Sequence, residues 1–232
     1  MAKDLLDDAT LEASAVVANN AMNRERGLTG VNSYAAELGF DPFEFLAAKC
    51  GPTKTKSVAW LDVCCGSGWA LIQAAGRFAT EHPQADVEIT GVDLVDFFRP
   101  SPTPPGLTLI PAPIAQWQPR RTYDLISCVH GLHYVGDKLD LLARVASWLV
   151  PGGLFVADLD VDAIRHQDCR ASGRRTSAAL RAAGFTYDPR RHQVQLREPR
   201  AVDFPARYLG ADDAAGPGYT GQPAVNSYYA WE

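Results

Sequence analysis

Val58-Ala59-Trp60-Leu61-Asp62-Val63-Cys64-Cys65-Gly66-Ser67-Gly68-Trp69-Ala70-Leu71 is the stretch on which the reading of this chain turns. Val58 to Val63 is a short apolar run of β-favouring residues, the pattern of a strand covered on both faces. Gly66 and Gly68 follow it. Glycine accepts backbone angles that other residues avoid and lets a ligand come close to the main chain. From Ser67 onward apolar residues recur at helical spacing through Leu71, Ile72, Ala75 and Phe78. A strand, a glycine turn and a helix in that order aim a helix N-terminus at whatever occupies the turn.

A second apolar run, Val87-Glu88-Ile89-Thr90-Gly91-Val92-Asp93, ends in a carboxylate. A carboxylate at that place suits the two hydroxyls of a ribose. Asp62 adds negative charge near the turn, which suits a cationic ligand better than a pyrophosphate. The dinucleotide fingerprint needs a third glycine, and Leu71 stands in its place.

These residues resemble the class I S-adenosylmethionine-dependent methyltransferases, whose first motif runs acid-x-Gly-x-Gly-x-Gly. Here it reads Asp62-Val63-Cys64-Cys65-Gly66-Ser67-Gly68, with the compact Cys64 in place of the first glycine. The likeness runs over about residues 57 to 200. It includes a fourth strand at Tyr123 to Val129 and a Val150-Pro151-Gly152-Gly153 turn into a fifth strand at Leu154 to Ala157. The resemblance implies an α/β, Rossmann-like, doubly wound and mostly parallel seven-stranded sheet with helices on both faces. It also implies a helical N-terminal lid. The expected layout is a single methyltransferase domain over 1–232: a lid over 1–56, then a core over 57–232 with a long loop at about 199–223. The last two strands, Gln193 to Arg197 and Asn226 to Trp231, are expected to pair antiparallel.

Composition agrees with one globular unit. The chain has 232 residues, 47% of them hydrophobic and 21% charged, with a net charge of −5; that is enough for one sizeable core and short of two ordinary domains. The absence of a long basic run argues against a phosphate-tracking surface and so against a nucleic-acid substrate. No stretch approaches a membrane span, and the acidic start lacks the apolar run of a signal peptide; a cytoplasmic location is expected. The five cysteines lack Cys-x-x-Cys spacing, so no metal is expected. Cys64 and Cys65 read as small buried filler.

Ahead of the first strand the pattern predicts helices over 4–24, over Ser33 to Leu38, and from Asp41-Pro42-Phe43-Glu44 to Cys50. The third opens on an N-cap acid, a first-turn proline and a capping-box glutamate. Later helices are expected from Gly136-Asp137, with Leu139, Leu142, Val145, Ala146 and Leu149 facing inward, and from Thr176 to Ala183.

The resemblance assigns cofactor contacts to Asp62, Cys64, Gly66, Gly68, Asp93, Leu94, Ile114 and Val129. It also places Tyr34 and one of Arg24 and Arg26, with Arg26 carried forward, at the carboxylate of the cofactor; an arginine fork suits that group. The family often has an acid after the third strand that holds the adenine amino group. Here Pro111-Ala112-Pro113-Ile114 offers none, so adenine is expected to meet main chain near Ile114 and the ring of Trp117. The resemblance implies S-adenosylmethionine as cofactor, with S-adenosylhomocysteine as product.

Methyl transfer requires an aligned, unprotonated nucleophile. His130 and His133, just past the fourth strand, are the catalytic candidates, because loops at the carboxyl ends of parallel strands line the ligand crevice and imidazole titrates near neutrality. A packed structural role is the competing reading for His133. His166 and His192 lie in polar stretches and are expected to be solvated. The acceptor is expected to be a small molecule or peptide in natural-product biosynthesis, with O-methylation slightly favoured over N-methylation. The alternatives are a nucleic-acid methyltransferase, against which Cys128-Val129-His130-Gly131 stands where an Asn-Pro-Pro-Tyr-like motif would be, and a non-catalytic S-adenosylmethionine-binding protein. Oligomeric state is not readable.

Overall fold

Three short helices precede the first strand in the computed structural model, which describes residues 4–18, 25–50, 57–100 and 102–232. They are α1 (Asp8–Glu12), α2 (Tyr34–Leu38) and α3 (Pro42–Ala47). The helix expected over 4–24 is therefore a single short one within its described part; residues 19–24 lie outside the described residues. Ser14 explains the early stop: its Oγ accepts the N–H of Val17, and such local bonding competes with helix. Ser33 caps α2 through the N–H of Ala36, and Asp41 caps α3 through the N–H of Phe43. Glu44 pairs with Arg77 at 3.2 Å. α3 ends at Ala47, three residues before the expected Cys50, where the N–H of Lys49 and of Cys50 turn back onto Leu46 and Ala47.

The remaining elements are β1 (Ser57–Val63), α4 (Trp69–Glu81), β2 (Asp86–Asp93), β3 (Leu107–Pro111), β4 (Tyr123–Cys128), α5 (Lys138–Ser147), β5 (Leu149–Asp158), β6 (Ile164–His166), α6 (Gly173–Ala182), β7 (Thr186–Asp188), β8 (Gln193–Arg197), β9 (Ala206–Asp212) and β10 (Asn226–Trp231). Seven strands form one sheet in the order β3-β2-β1-β4-β5-β8-β7. Pairing is parallel from β3 to β5 and antiparallel at β5–β8 and β8–β7. This is the mostly parallel, Rossmann-like sheet that the sequence predicts.

The strand period of two builds a core on each face. Ala59, Leu61 and Val63 of β1 join the cluster that includes Leu142 and Val145 of α5 and Leu180 of α6. Val58 and Trp60 join the other, with Leu71, Ala75 and Phe78 of α4 and Leu38, Phe43 and Leu46 of the N-terminal helices. β1 is buried on both faces because each face is covered by helices.

The C-terminal third departs from expectation. β8 lies in the main sheet, but β10 does not pair with it. The seventh place goes to β7, three residues long and too short to show a periodicity. β10 pairs antiparallel with β9 and parallel with β6, making a separate three-stranded sheet. β9 lies inside the segment expected to be a loop. Its Gly210 (φ 130°) is where Leu5 and Leu6 close in, and a Cβ there would stand 2.8 Å from that of Leu5. Tertiary contact makes this a strand despite its glycine. Leu149, expected on the inner face of α5, is the first residue of β5.

Lys138, the first residue of α5, ties the small sheet to that helix. It is fully buried, and its Nζ donates to the carbonyls of Val135 and Val225 and to Ser227 Oγ at 2.8–2.9 Å. Lys138→Met should leave these acceptors buried without a donor and lower stability by about 2–4 kcal/mol. Urea unfolding checks this; a loss below about 0.5 kcal/mol would show that the three bonds are dispensable.

Candidate active site

The chain order in the sheet reverses between β1 and β4, and at such a switch point loops leave the carboxyl ends of the strands on opposite sides and open a crevice. The turn after β1 enters it in left-handed conformation at Cys64 (φ 59°) and Gly66 (φ 59°). For Cys64 this conformation is unfavourable, and it occupies the place where the related motif has glycine. Asp93, at the end of β2, closes the turn. Its Oδ2 accepts the N–H of Gly66 at 2.8 Å and its Oδ1 that of Val95 at 3.2 Å.

A cavity fills the crevice. Cys64, Cys65, Gly66, Asp93, Leu94, Ile114, Val129, His130 and His133 all line it. Asp8, Leu11, Glu12, Val17, Arg26 and Tyr34 of the N-terminal segment close one side, and Thr220 and Gln222 of the segment between β9 and β10 close another. Burial and the neighbouring Asp8 push Glu12 above the usual carboxylate range.

Two expected contacts lie off the cavity wall. Gly68 (φ 69°) begins α4, and a Cβ on it would press within 3.0 Å of Leu109. Asp62 is fully buried. Its Oδ2 accepts the Tyr34 hydroxyl at 2.6 Å, and its Oδ1 accepts the hydroxyl of Ser127, which in turn accepts Trp60 Nε1. Asp62 thus joins α2, β1 and β4 instead of presenting charge to a ligand. Trp117 is also displaced, packing edge-on against Trp148 at 5.8 Å. The carbonyls of Ile114, Ala115 and Trp117 are taken by Arg144, so they are already paired as acceptors.

The two catalytic candidates differ. His133 is 3% exposed, its Nε2 is sealed from solvent without a hydrogen-bond partner, and burial, with the neighbouring His130, pulls its pKa down to about 3. It is a neutral imidazole. His130 adopts a left-handed conformation (φ 59°), which turns the chain from β4 into the short 3₁₀ turn Gly131–Tyr134. Its backbone N–H donates to Asp158 Oδ2 at 3.1 Å. Its Nε2 lies 3.2 Å from Glu37 Oε1 and 3.7 Å from Asp158 Oδ2, aligned for a hydrogen bond with neither. Contact with His130, helped by Arg26 at 3.4 Å, holds Glu37 below the usual carboxylate range. Burial pushes Asp158 up to about 6.

Glu37 and Asp158 are absent from the sequence reading. Asp158 carried a usable signal, since it ends a strand at the same edge as Asp93. Glu37 carried none. His192 was expected to be solvated, yet its ring lies flat on Tyr219 at 3.9 Å and its Nδ1 is sealed without a partner.

Residues 31–194, most of the chain, match the profile of the family described as "Methyltransferase domain". The chain belongs to this family. The sheet order β3-β2-β1-β4-β5-β8-β7 agrees with the Rossmann-like core expected from the sequence. No curated protein matches it. Among solved structures it is similar to CalS10, an amino pentose methyltransferase from Micromonospora echinaspora bound to S-adenosylmethionine, at 24% identity over 50% of this chain and 46% of that one, TM-score 0.35. It is similar to NodS, an N-methyltransferase from Bradyrhizobium japonicum WM9, at 17% identity over 78% and 100%, TM-score 0.42. A methyltransferase from Mesorhizobium loti gives 27% identity over 48% and 50%, TM-score 0.35. The chain spans about half the length of the first and third. No helix among the described residues is long and apolar enough to cross a membrane.

The buried Asp62 yields a pH test. Burial, the dominant cause, raises its pKa from 3.8 to about 7. A carboxyl whose folded pKa lies above its unfolded one contributes stability that is complete below pH 3.8 and is lost as pH rises through 7. Asp62→Asn stays neutral and keeps an acceptor for Tyr34. Its melting temperature relative to wild type should therefore rise between pH 5 and pH 8. A difference that is the same at both pH values, read by calorimetry, would contradict the raised pKa.

Proposed function

We propose that this member of the methyltransferase family transfers a methyl group from S-adenosylmethionine to a small molecule or peptide, with an oxygen acceptor slightly favoured over nitrogen and His130 as the general base. The observation that carries the reading is His130 at the carboxyl end of β4, on the wall of the cavity that Asp93 also lines, with two carboxylate oxygens within 3.7 Å of its Nε2. These carboxylates favour the proton on Nε2 and leave the lone pair on Nδ1, since a neutral imidazole has one donor and one acceptor nitrogen. His133, neutral at every working pH, orients the acceptor by hydrogen bonding and takes no proton. The setting is natural-product biosynthesis in the cytoplasm, without a nucleic-acid partner. In this reading residues 1–56 form a lid over the core of a single domain, and Tyr34 bonded to Asp62 fastens it.

The residues present fit the cofactor. An acid held by two main-chain N–H groups on the cavity wall suits ribose hydroxyls. The backbone of Cys64 to Gly66 lines the cavity and allows close approach. Leu94, Ile114 and Val129 offer apolar walls for adenine, and Arg26 suits the carboxylate. When bound, S-adenosylmethionine supplies an electrophilic methyl group. The chain's part is to hold the acceptor in line, exclude water and remove the acceptor proton at His130.

Asp93→Ala should weaken S-adenosylhomocysteine binding by about 10- to 100-fold, the scale of losing charge-assisted hydrogen bonds. Calorimetry reads this, and an unchanged affinity would remove Asp93 from the site. With an acceptor found by screening, His130→Ala should slow methyl transfer by about 10²–10⁴-fold and leave S-adenosylhomocysteine affinity nearly unchanged. His133→Ala should be milder in rate. A His130→Ala enzyme at wild-type rate across pH would exclude His130 as the base. Cofactor binding without turnover across oxygen, nitrogen and sulfur acceptors would favour the non-catalytic alternative.

A further inference from the structure

We infer that Glu37, His130 and Asp158 form a binding site for a divalent transition-metal ion of the zinc class. One donor atom from each lies within 4.8 Å of the other two. Zinc bonds to imidazole nitrogen and carboxylate oxygen at about 2.0–2.2 Å, so neighbouring ligands on a tetrahedron stand roughly 3.3–3.6 Å apart. The two separations from His130 Nε2, 3.2 and 3.7 Å, bracket that edge. One imidazole and two carboxylates make a three-ligand set with the fourth position open, the donor number of a reactive zinc site rather than a closed structural one.

Three further observations support the assignment. His130 Nε2 is sealed from solvent and makes no hydrogen bond, although two acceptors face it. The ligands are positioned by hydrogen bonds: the His130 N–H donates to Asp158 at 3.1 Å within the set, and from outside it Arg191 and Gln193 donate to the Glu37 carbonyl at the end of α2 at 2.9 and 3.1 Å. Such supporting bonds fix ligand direction. The carboxylates are also close together and largely out of solvent, with side-chain exposures of 32% and 3%, a repulsive arrangement that a dication relieves. Arg26, 3.4 Å from Glu37 Oε1, neutralises part of this charge, and the ion takes its place on that oxygen.

The consequence rests on the reading of His130 as base. An ion on Nε2 moves the imidazole proton to Nδ1, which abolishes the lone pair that accepts the acceptor's proton. The site is thus an off-switch for methyl transfer.

The test uses the full chain, stripped with a chelator and kept reduced, titrated with zinc chloride in a calorimeter and with cobalt(II) in a spectrometer. One zinc is expected per chain. Glu37→Gln and Asp158→Asn, both nearly isosteric, should each weaken it at least about tenfold while leaving the apo melting temperature close to wild type. Cobalt should give tetrahedral visible bands without sulfur-to-metal charge transfer. No binding, an affinity unchanged in both variants, or a sulfur band that assigns the ion to the cysteines overturns the proposal. S-adenosylhomocysteine binding, measured on the same wild-type sample, reports separately on the methyltransferase reading.

Discussion

A carboxylate without solvent holds this structure's working parts in register. Asp62 accepts hydroxyls from Tyr34 of α2 and Ser127 of β4, and Ser127 is fixed by Trp60 beside it on β1. An unpaired buried carboxylate is expensive, so each of these donors is held in place by the cost of losing it. The consequence is geometric. The turn that follows Asp62, the loop that follows Ser127 and the segment that carries Tyr34 meet at the cavity from three directions. The acid of the glycine motif therefore holds the walls of the cavity together and is not itself part of them.

Charge around the cavity is divided by burial. On one wall of the cavity Asp93 is held by main-chain N–H groups, and Arg26 lines the same space. Where β4 and β5 end, two acids crowd one imidazole. A few residues further on, a second imidazole is kept neutral by desolvation. Two histidines three positions apart thus have separate chemical capacities, one near carboxylates and one in apolar surroundings. Desolvation is what disfavours a proton on His133.

Much of the fold was legible in the sequence because β1 and β4 are buried on both faces and β2 over its carboxyl-terminal half. Such strands are written as continuous apolar runs, and β1, β2, β4 and the glycine turn between β1 and α4 fall close to where the runs place them. The acid at the end of β2 and the imidazoles after β4 were readable for a related reason, since in a parallel sheet ligand-facing groups come at strand ends. Where a strand is short or relies on distant partners the reading failed. β7 is too short for a pattern, and β9 is held by β10 and, across some 200 residues of sequence, by α1 and Leu6. Its glycine and aspartates look like a loop when read locally.

The sequence by itself determined the order of strand, turn and helix, the mostly parallel sheet and the positions of Asp93, His130 and His133 along the chain. Local spacing and burial period suffice for these. The tertiary structure alone decided that Asp62 faces inward to Tyr34, that β10 joins β9 and β6 in a second sheet, and that Glu37 and Asp158 converge on one nitrogen of His130. Each of these is a contact between residues far apart in the chain. Linear spacing carries no information on such a contact, because it exists only once the packing of both sheet faces has brought the elements together.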